Sequence, residues 1–255
     1  MKLGICCNPD QARLVQEIGY DYVELNVAMT LSGDSDDFER LYKQFQDLEI
    51  TVDAFNCFIP GNLKLTGPQR DFAAIETYIN LVLPRAKALG AELIVFGSGP
   101  ARSYPEGFPP DQAWEQIKEF LVMVARQATL NDLHICVEPL RRKEGNIINT
   151  LREAHALLKE LNQPSLGLTL DIWHMMEEEE PFEVISEIGD LLYHVHVADS
   201  GRRYPGSGSY DFASFFAELK SIGYDRRISC EFSGTDFQED AAKAYAFLKQ
   251  MIKRI

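Results

Sequence analysis

A chain of 255 residues, 45% of them hydrophobic, is the size of one α/β barrel and can bury a large core without disulfides. Its formal charge of −14, from 39 acidic against 25 basic residues, has the wrong sign for a surface that displaces counterions from nucleic acid. No stretch approaches the ~18 apolar residues of a membrane span, and only a short apolar run precedes Asn8-Pro9, so one cytoplasmic domain over residues 1–255 is expected. The five cysteines, Cys6, Cys7, Cys57, Cys136 and Cys230, lie in or beside expected strands without Cys-x-x-Cys spacing, and read as small buried hydrophobes in a reducing compartment.

Strand-like and helix-like runs alternate from end to end, the pattern of βα units around a parallel sheet. The first strand, Leu3 to Cys6, leads to Asn8-Pro9, a cap and first helical residue for a helix reaching Ile18, which Gly19 closes. Strand two is Tyr22 to Asn26, followed by a polar loop and a helix from Asp37 to Leu48. Strand three, Thr51 to Phe58, runs into the turn Ile59-Pro60-Gly61. A helix from Gln69 to Leu89 stops at Gly90, with Pro84 as a kink or break. Strand four is Leu93 to Phe96, and the segment from Gly97 to Pro110 is too rich in Gly and Pro for a packed element.

Asp111 can cap the next helix, which runs to Asn131. Then come strand five (His134 to Glu138), a helix (Thr150 to Leu161), strand six (Leu166 to Asp171) and a helix near Pro181 to Ile188. Strand seven (Leu192 to Val197), a helix (Asp211 to Ile222), strand eight (Ile228 to Phe232) and a last helix (Asp240 to Arg254) complete eight units. Ile18-Gly-Tyr-Asp21 before strand two is echoed by Ile222-Gly-Tyr-Asp225 before strand eight. Eight units with no low-complexity linker predict a single closed (β/α)8 barrel, and no Gly-x-Gly-x-x-Gly follows the first strand to suggest a dinucleotide.

Four apolar runs of the second half close on a polar side chain: Glu138, Asp171, His196 and Glu231. In a closed parallel barrel the strand ends lie side by side, so three carboxylates and one imidazole can converge and hold a divalent cation. Asp171 alone also reads as the N-cap of a following helix. The oxygen-rich set suits Mn, Mg or Co better than a structural zinc. A ketose fits such an ion, since the cation polarises a carbonyl beside a hydroxyl and stabilises the enediolate left by proton removal. Glu138 and Glu231 come from different strands, so one can remove a proton and the other return it on the opposite face. Alternation along strands makes His134 and His194 core or supporting histidines, with His134 deep in the barrel, and leaves His155 at the surface. The run Glu177 to Glu180 reads as a solvated face without chemistry.

The set Glu138-Pro-Leu-Arg-Arg-Lys-Glu144-Gly-Asn146, Asp171-Ile-Trp-His174-Met, His196 with Arg202 and Pro205-Gly-Ser-Gly208, and Glu231 resembles the xylose isomerase-like barrel family. Within it, the chain is most similar to ketose 3-epimerases acting on tagatose or psicose, with hydroxypyruvate isomerases nearby. The resemblance implies that Glu138, Asp171, His196 and Glu231 bind the metal and that the two glutamates transfer protons. It also implies that Glu144, His174 and Arg202 hold substrate oxygens, and that the protein forms a homodimer or homotetramer. Two positions depart from the pattern: Cys6 replaces an aromatic wall, and Arg141 replaces a neutral amide, pointing either inward at an acidic substrate or outward. A dehydratase, which would expel a β-hydroxyl from the same enolate, and a sugar-binding barrel without turnover are the competing readings; Phe58, Tyr104, Trp114 and Trp173 are left out of the site.

Overall fold

The computed structural model describes residues 1–254. Eight strands form a closed barrel in chain order: β1 (Lys2–Cys6), β2 (Tyr22–Asn26), β3 (Thr51–Asn56), β4 (Leu93–Phe96), β5 (His134–Val137), β6 (Leu166–Asp171), β7 (Leu192–Val197) and β8 (Arg227–Cys230). Every neighbouring pair is parallel, and β1 on β8 closes the ring. Outward side chains such as Val23, Leu25, Ile94 and Ile135 are fully buried beneath the helices, which is why the strands read as nearly continuous apolar runs.

The barrel interior has two levels. Tyr22, Ala54, Leu93, Val95 and Cys136, with Tyr193 packed against them, fill its N-terminal part. Gly4 makes room for this layer, because a Cβ there would sit 2.3 Å from the Tyr22 ring. The Tyr22 hydroxyl meets Ser229 Oγ at 2.8 Å, and above that level the interior turns polar.

The outer helices are Ala12–Ile18, Ser35–Gln46, Phe72–Ala88, Pro110–Leu130, Leu151–Leu161, Val184–Ile188, Phe212–Ser221 and Phe237–Arg254. Their starts follow short polar caps: Asp34, Asp71, Thr150 and Asp211 each accept a backbone N–H of the first turn. Three further short helices, Val27–Thr30, Gly99–Arg102 and Ile172–Glu177, sit directly above strand ends.

Several sequence expectations need correction. The Gly97 to Pro110 segment does contain a packed element, since Gly99–Arg102 buries Ala101 and Arg102 completely. Asp111 lies inside the first turn of its helix, where Pro109 is the N-cap and Pro110 the first residue. Pro84 does not break Phe72–Ala88. β3 stops at Asn56 because Cys57 turns into the left-handed region with φ 47°. Only Cys136 and Cys230 are buried hydrophobes; Cys6 and Cys7 are half-buried and Cys57 is exposed. His134 lies half-buried at the N-terminal end of the barrel, stacked on Tyr193 with ring centroids 4.4 Å apart.

Candidate active site

Glu138 and Glu231 each stand one residue beyond a strand, yet their backbones stay in the sheet. The Glu138 N–H donates to Phe96 O at 3.1 Å and the Glu231 N–H to Val197 O at 3.0 Å. Arg102 fixes the other side of Glu138. Its fully buried guanidinium donates to Glu138 O at 2.8 Å, Ile148 O at 3.0 Å and Phe96 O at 3.2 Å. Burial lowers its pKa to about 10, still well above neutrality, so Arg102 is a charged clamp on three carbonyls. Gly97 leaves the space the carboxylate needs, because a Cβ there would stand 2.4 Å from Glu138 Oε2.

The structure brings Glu138, Asp171, His196 and Glu231 together, each offering one ligand atom and all four atoms within 4.8 Å of one another. Glu138 Oε1 meets His196 Nδ1 at 2.8 Å, and Glu231 Oε2 lies 3.4 Å from the same nitrogen. Asp171 caps the next helix with one carboxylate oxygen and also lies in the cluster. Its Oδ1 caps the helix Ile172–Glu177 by accepting the Trp173 N–H at 2.7 Å, whereas Oδ2 is buried with no hydrogen-bond partner. Buried polar atoms rarely stay orphaned, and a carboxylate oxygen facing two other carboxylates and an imidazole fits a divalent cation.

The electrostatics agree. Burial, with Glu231 and Glu138 alongside, pushes the Asp171 carboxyl up to about 8 despite the nearby Arg202. Burial also raises Glu138, while Glu231, though desolvated too, is held down to about 2 by Arg202 and His196. Burial opposes a charge on His196, but Glu24 and Glu231 keep that imidazole protonated well above its usual range. Protons thus occupy the cluster where a cation would sit.

Behind the cluster lies a residue that the sequence reading missed. Glu24, fully buried on β2, accepts His196 Nε2 at 2.8 Å on one oxygen. Its other oxygen accepts His194 Nε2 at 2.8 Å and Ser229 Oγ at 2.6 Å. Burial would raise its pKa, yet His196 and His194 pull it well below the carboxylate range. A carboxylate on Nε2 orients the ring and leaves Nδ1 to face the cluster. His194 is therefore a supporting histidine, as its strand position implied.

The expected substrate-holding residues surround a cavity of about 320 Å³ that Glu138, Glu231, Glu144, His174 and Arg202 all line. His174 Nδ1 accepts the Arg141 N–H at 3.3 Å, which leaves Nε2 as the protonated nitrogen, 3.8 Å from Asp171 Oδ2. Burial and Arg202 lower its pKa to about 3, so it is a neutral donor. Arg202 Nη2 donates to Glu231 Oε2 at 2.7 Å from a backbone with φ 55°. Asp199 builds that loop by accepting the N–H groups of Ser200, Gly206 and Tyr210, so the Pro205 to Gly208 turn wraps a carboxylate of its own loop.

Arg141 takes neither extreme orientation. It pairs with Glu144 at 2.8 Å and Glu177 at 2.9 Å, and its guanidinium packs 4.1 Å from the Trp173 ring, which Arg202 also contacts at 4.4 Å. Trp173 therefore belongs beside the site, whereas Phe58 is a core residue. The glutamate run is not idle either: Glu178 accepts Arg142 N at 2.7 Å and Glu180 accepts Leu151 N at 3.0 Å, tying down the segment that carries Glu144. Glu24 and Arg102 left one signal each: a carboxylate on the inner face of an apolar strand, and a lone cation in a Gly- and Pro-rich turn.

Among proteins of known activity, a ketose 3-epimerase of Arthrobacter globiformis is 42% identical over 109 residues, 42% of this chain. The match spans only 38% of that protein's length. An L-ribulose 3-epimerase of Mesorhizobium japonicum is 26% identical over 239 residues, covering 92% of this chain and 79% of that one. In fold, the chain superposes on the D-psicose 3-epimerase from Clostridium cellulolyticum H10, solved with D-tagatose, with a TM-score of 0.87 over 99% of each chain at 22% identity. The family model described as xylose isomerase-like TIM barrel matches residues 12–251, and the chain belongs to that family.

Proposed function

We propose that this protein is a divalent-metal-dependent ketose 3-epimerase. The observation that carries the reading is the convergence of Glu138, Asp171, His196 and Glu231, one ligand atom from each within 4.8 Å of the others, around the buried and unpartnered Asp171 Oδ2. Both glutamates lie within 3.4 Å of His196 Nδ1 and line the same cavity from different strands, so one carboxylate can remove a proton and the other return it. The epimerase names of the relatives support the same reaction class.

Glu138, Asp171, His196 and Glu231 would hold the ion, Mn first and Mg or Co as alternatives. When bound, the ion supplies Lewis-acid polarisation of a carbonyl and its neighbouring hydroxyl. Glu231 takes the proton from the hydroxyl-bearing carbon, and Glu138 returns one to the opposite face. His174 donates from Nε2 to a substrate oxygen, and Arg202 steadies both Glu231 and the charge that builds on the substrate. Glu144, anchored by Arg141, closes the rim against another hydroxyl. The assembly we propose is a homodimer or homotetramer, which sedimentation velocity reads directly.

The test is NMR of D-psicose, D-tagatose, D-fructose and hydroxypyruvate in deuterated water with Mg-loaded protein. Deuterium entering at C3 of a ketose with inversion is expected, and Glu138→Gln or Glu231→Gln should lower the exchange rate by at least about 10³-fold. Full exchange in either variant would sink the two-carboxylate mechanism, and loss of water from the product would turn the reading to a dehydratase.

A further inference from the structure

Cys6, Glu24 and His196 form a second group of metal-ligating atoms, one from each residue and all within 4.8 Å of one another. Cys6 and Glu24 are partners in the register of β1 and β2, and His196 reaches them from β7 across the barrel. Glu24 Oε1 meets His196 Nε2 at 2.8 Å, whereas Glu138 and Glu231 face Nδ1 of the same ring. One imidazole thus stands between two sets of ligands. Carboxylates occupy its Nδ1 side, and a carboxylate with a thiol occupies its Nε2 side.

The sulfur is placed as an acceptor. Asn56 Nδ2 donates to Cys6 Sγ at 3.2 Å, which fixes the thiol at the end of β1. Cys6 is half-buried and lines the open cavity of about 490 Å³ above β1–β3, so an ion has a path to it from solvent. Cys6 is also the position that departs from the family pattern, which makes this group a feature of the present chain.

The two sets differ in softness. Three carboxylates with an imidazole suit a hard ion, and a thiolate with an imidazole and one carboxylate suits zinc. We propose that Cys6, Glu24 and His196 form a separate, inhibitory site for a thiophilic divalent cation, with three protein ligands and a fourth position open to the cavity. On binding, the Cys6 thiol releases its proton to solvent and a sulfur–metal bond forms. The cation replaces the proton shared by Glu24 and His196, and nothing is oxidised or reduced. A neutral imidazole has one lone pair, so His196 serves one ion at a time. An ion held at Nε2 therefore takes the fourth ligand away from Glu138, Asp171 and Glu231, and it stands in the space a ketose enters. The site shares His196 with the proposed Mn centre but does not depend on what the substrate is.

Zinc, cobalt and manganese are the probes, used on the full chain. X-ray absorption of protein carrying one equivalent of zinc should show one sulfur at about 2.3 Å beside nitrogen and oxygen at about 2.0–2.2 Å. Cobalt should give a thiolate charge-transfer band in the near ultraviolet. Cys6→Ser should abolish that band, and Cys57→Ser, at the exposed thiol on the same cavity, should keep it. Zinc should displace bound Mn, read as free Mn by electron paramagnetic resonance. Cys6→Ser should raise the zinc required by at least about tenfold and change Mn affinity by less than about threefold. Melting curves check that both variants fold, and the zinc spectrum of the parent decides the matter without them.

Zinc bound by nitrogen and oxygen alone would overturn the thiolate site and leave the four-residue cluster standing. A cobalt band that survives Cys6→Ser would refute the assignment of the sulfur, and zinc–sulfur coordination with Mn retained would refute the shared imidazole. Thiolate-bound zinc that expels Mn, in a protein that exchanges no ketose proton when loaded with Mg, would keep this site and strike the epimerase reading instead.

Discussion

Glu24→Gln tests how the buried interior governs the cluster above it. Glu24 accepts three hydrogen bonds, from His196, His194 and Ser229, at 2.8, 2.8 and 2.6 Å. A glutamine has one accepting oxygen and one donating nitrogen. If the oxygen serves His194 and Ser229, the amide nitrogen confronts His196 Nε2, and the neutral ring that metal binding requires must then carry its proton on Nδ1, the nitrogen that faces Glu138 and Glu231. If the amide turns over, His194 and Ser229 lose their acceptor inside a sealed barrel. Loss of one charge-assisted hydrogen bond costs about 2 kcal/mol, and a melting temperature lowered by roughly 4–8 °C follows for a domain of this size. Loss of the carboxylate that orients a ligand histidine lowers metal affinity by about 10–100-fold. Cobalt titration followed by visible absorption measures the affinity, and calorimetry measures the melting. Cobalt affinity within twofold of the parent, in a variant with unchanged melting, would refute the claim that Glu24 sets the His196 tautomer.

Gly97→Ala should leave the fold intact but push the Glu138 carboxylate off its position, lowering kcat by about 100-fold with little change in KM, as steady-state kinetics would show. Arg102→Met strips three carbonyls of their buried donor and should destabilise the protein by about 3 kcal/mol or more, read by urea unfolding. The metal-free protein should lose stability as pH rises from 6.5 to 8. Asp171 is raised from 3.8 to about 8 and His196 is raised above 6.5, so the folded state holds protons that the unfolded chain has released. His174, lowered to about 3, acts with the opposite sign but only between about 3 and 6.5. Urea unfolding across this range should show a fall of up to about 1.4 kcal/mol per pH unit for each proton retained, abolished by saturating Mg. A flat profile in metal-free protein would contradict the buried-cluster reading.

The barrel was legible because the β-strands are buried on both sides and four of the outer helices start at a polar cap, so period and punctuation survive in one dimension. The four clustered residues were legible for a related reason: a polar residue at the end of an apolar run has few places to point. What the sequence hid depends on long-range contact. Glu24 meets its partners across the barrel, from β2 to β7 and β8, and nothing local distinguishes it from an ordinary strand glutamate. Arg102 looks like loop charge until three carbonyls converge on it. Arg141 was framed as pointing in or out because its partners belong to two separate segments, Glu144 to the loop after β5 and Glu177 to the end of the helix Ile172–Glu177. Cys57 was misread as a buried thiol since alternation predicts a strand past Asn56, and the left-handed turn that ends it has no glycine to announce it.

Trp173 gives the molecule a built-in optical reporter. It is one of two tryptophans, and its indole lies against the guanidinium groups of both Arg141 and Arg202. Nearby cations shift the emission of an indole by stabilising or destabilising its excited-state dipole. Arg202 in turn is bound to Glu231, at the place where a ligand would arrive. A ligand that displaces Arg202 should therefore change the Trp173 emission, which a fluorescence titration would read without any added label.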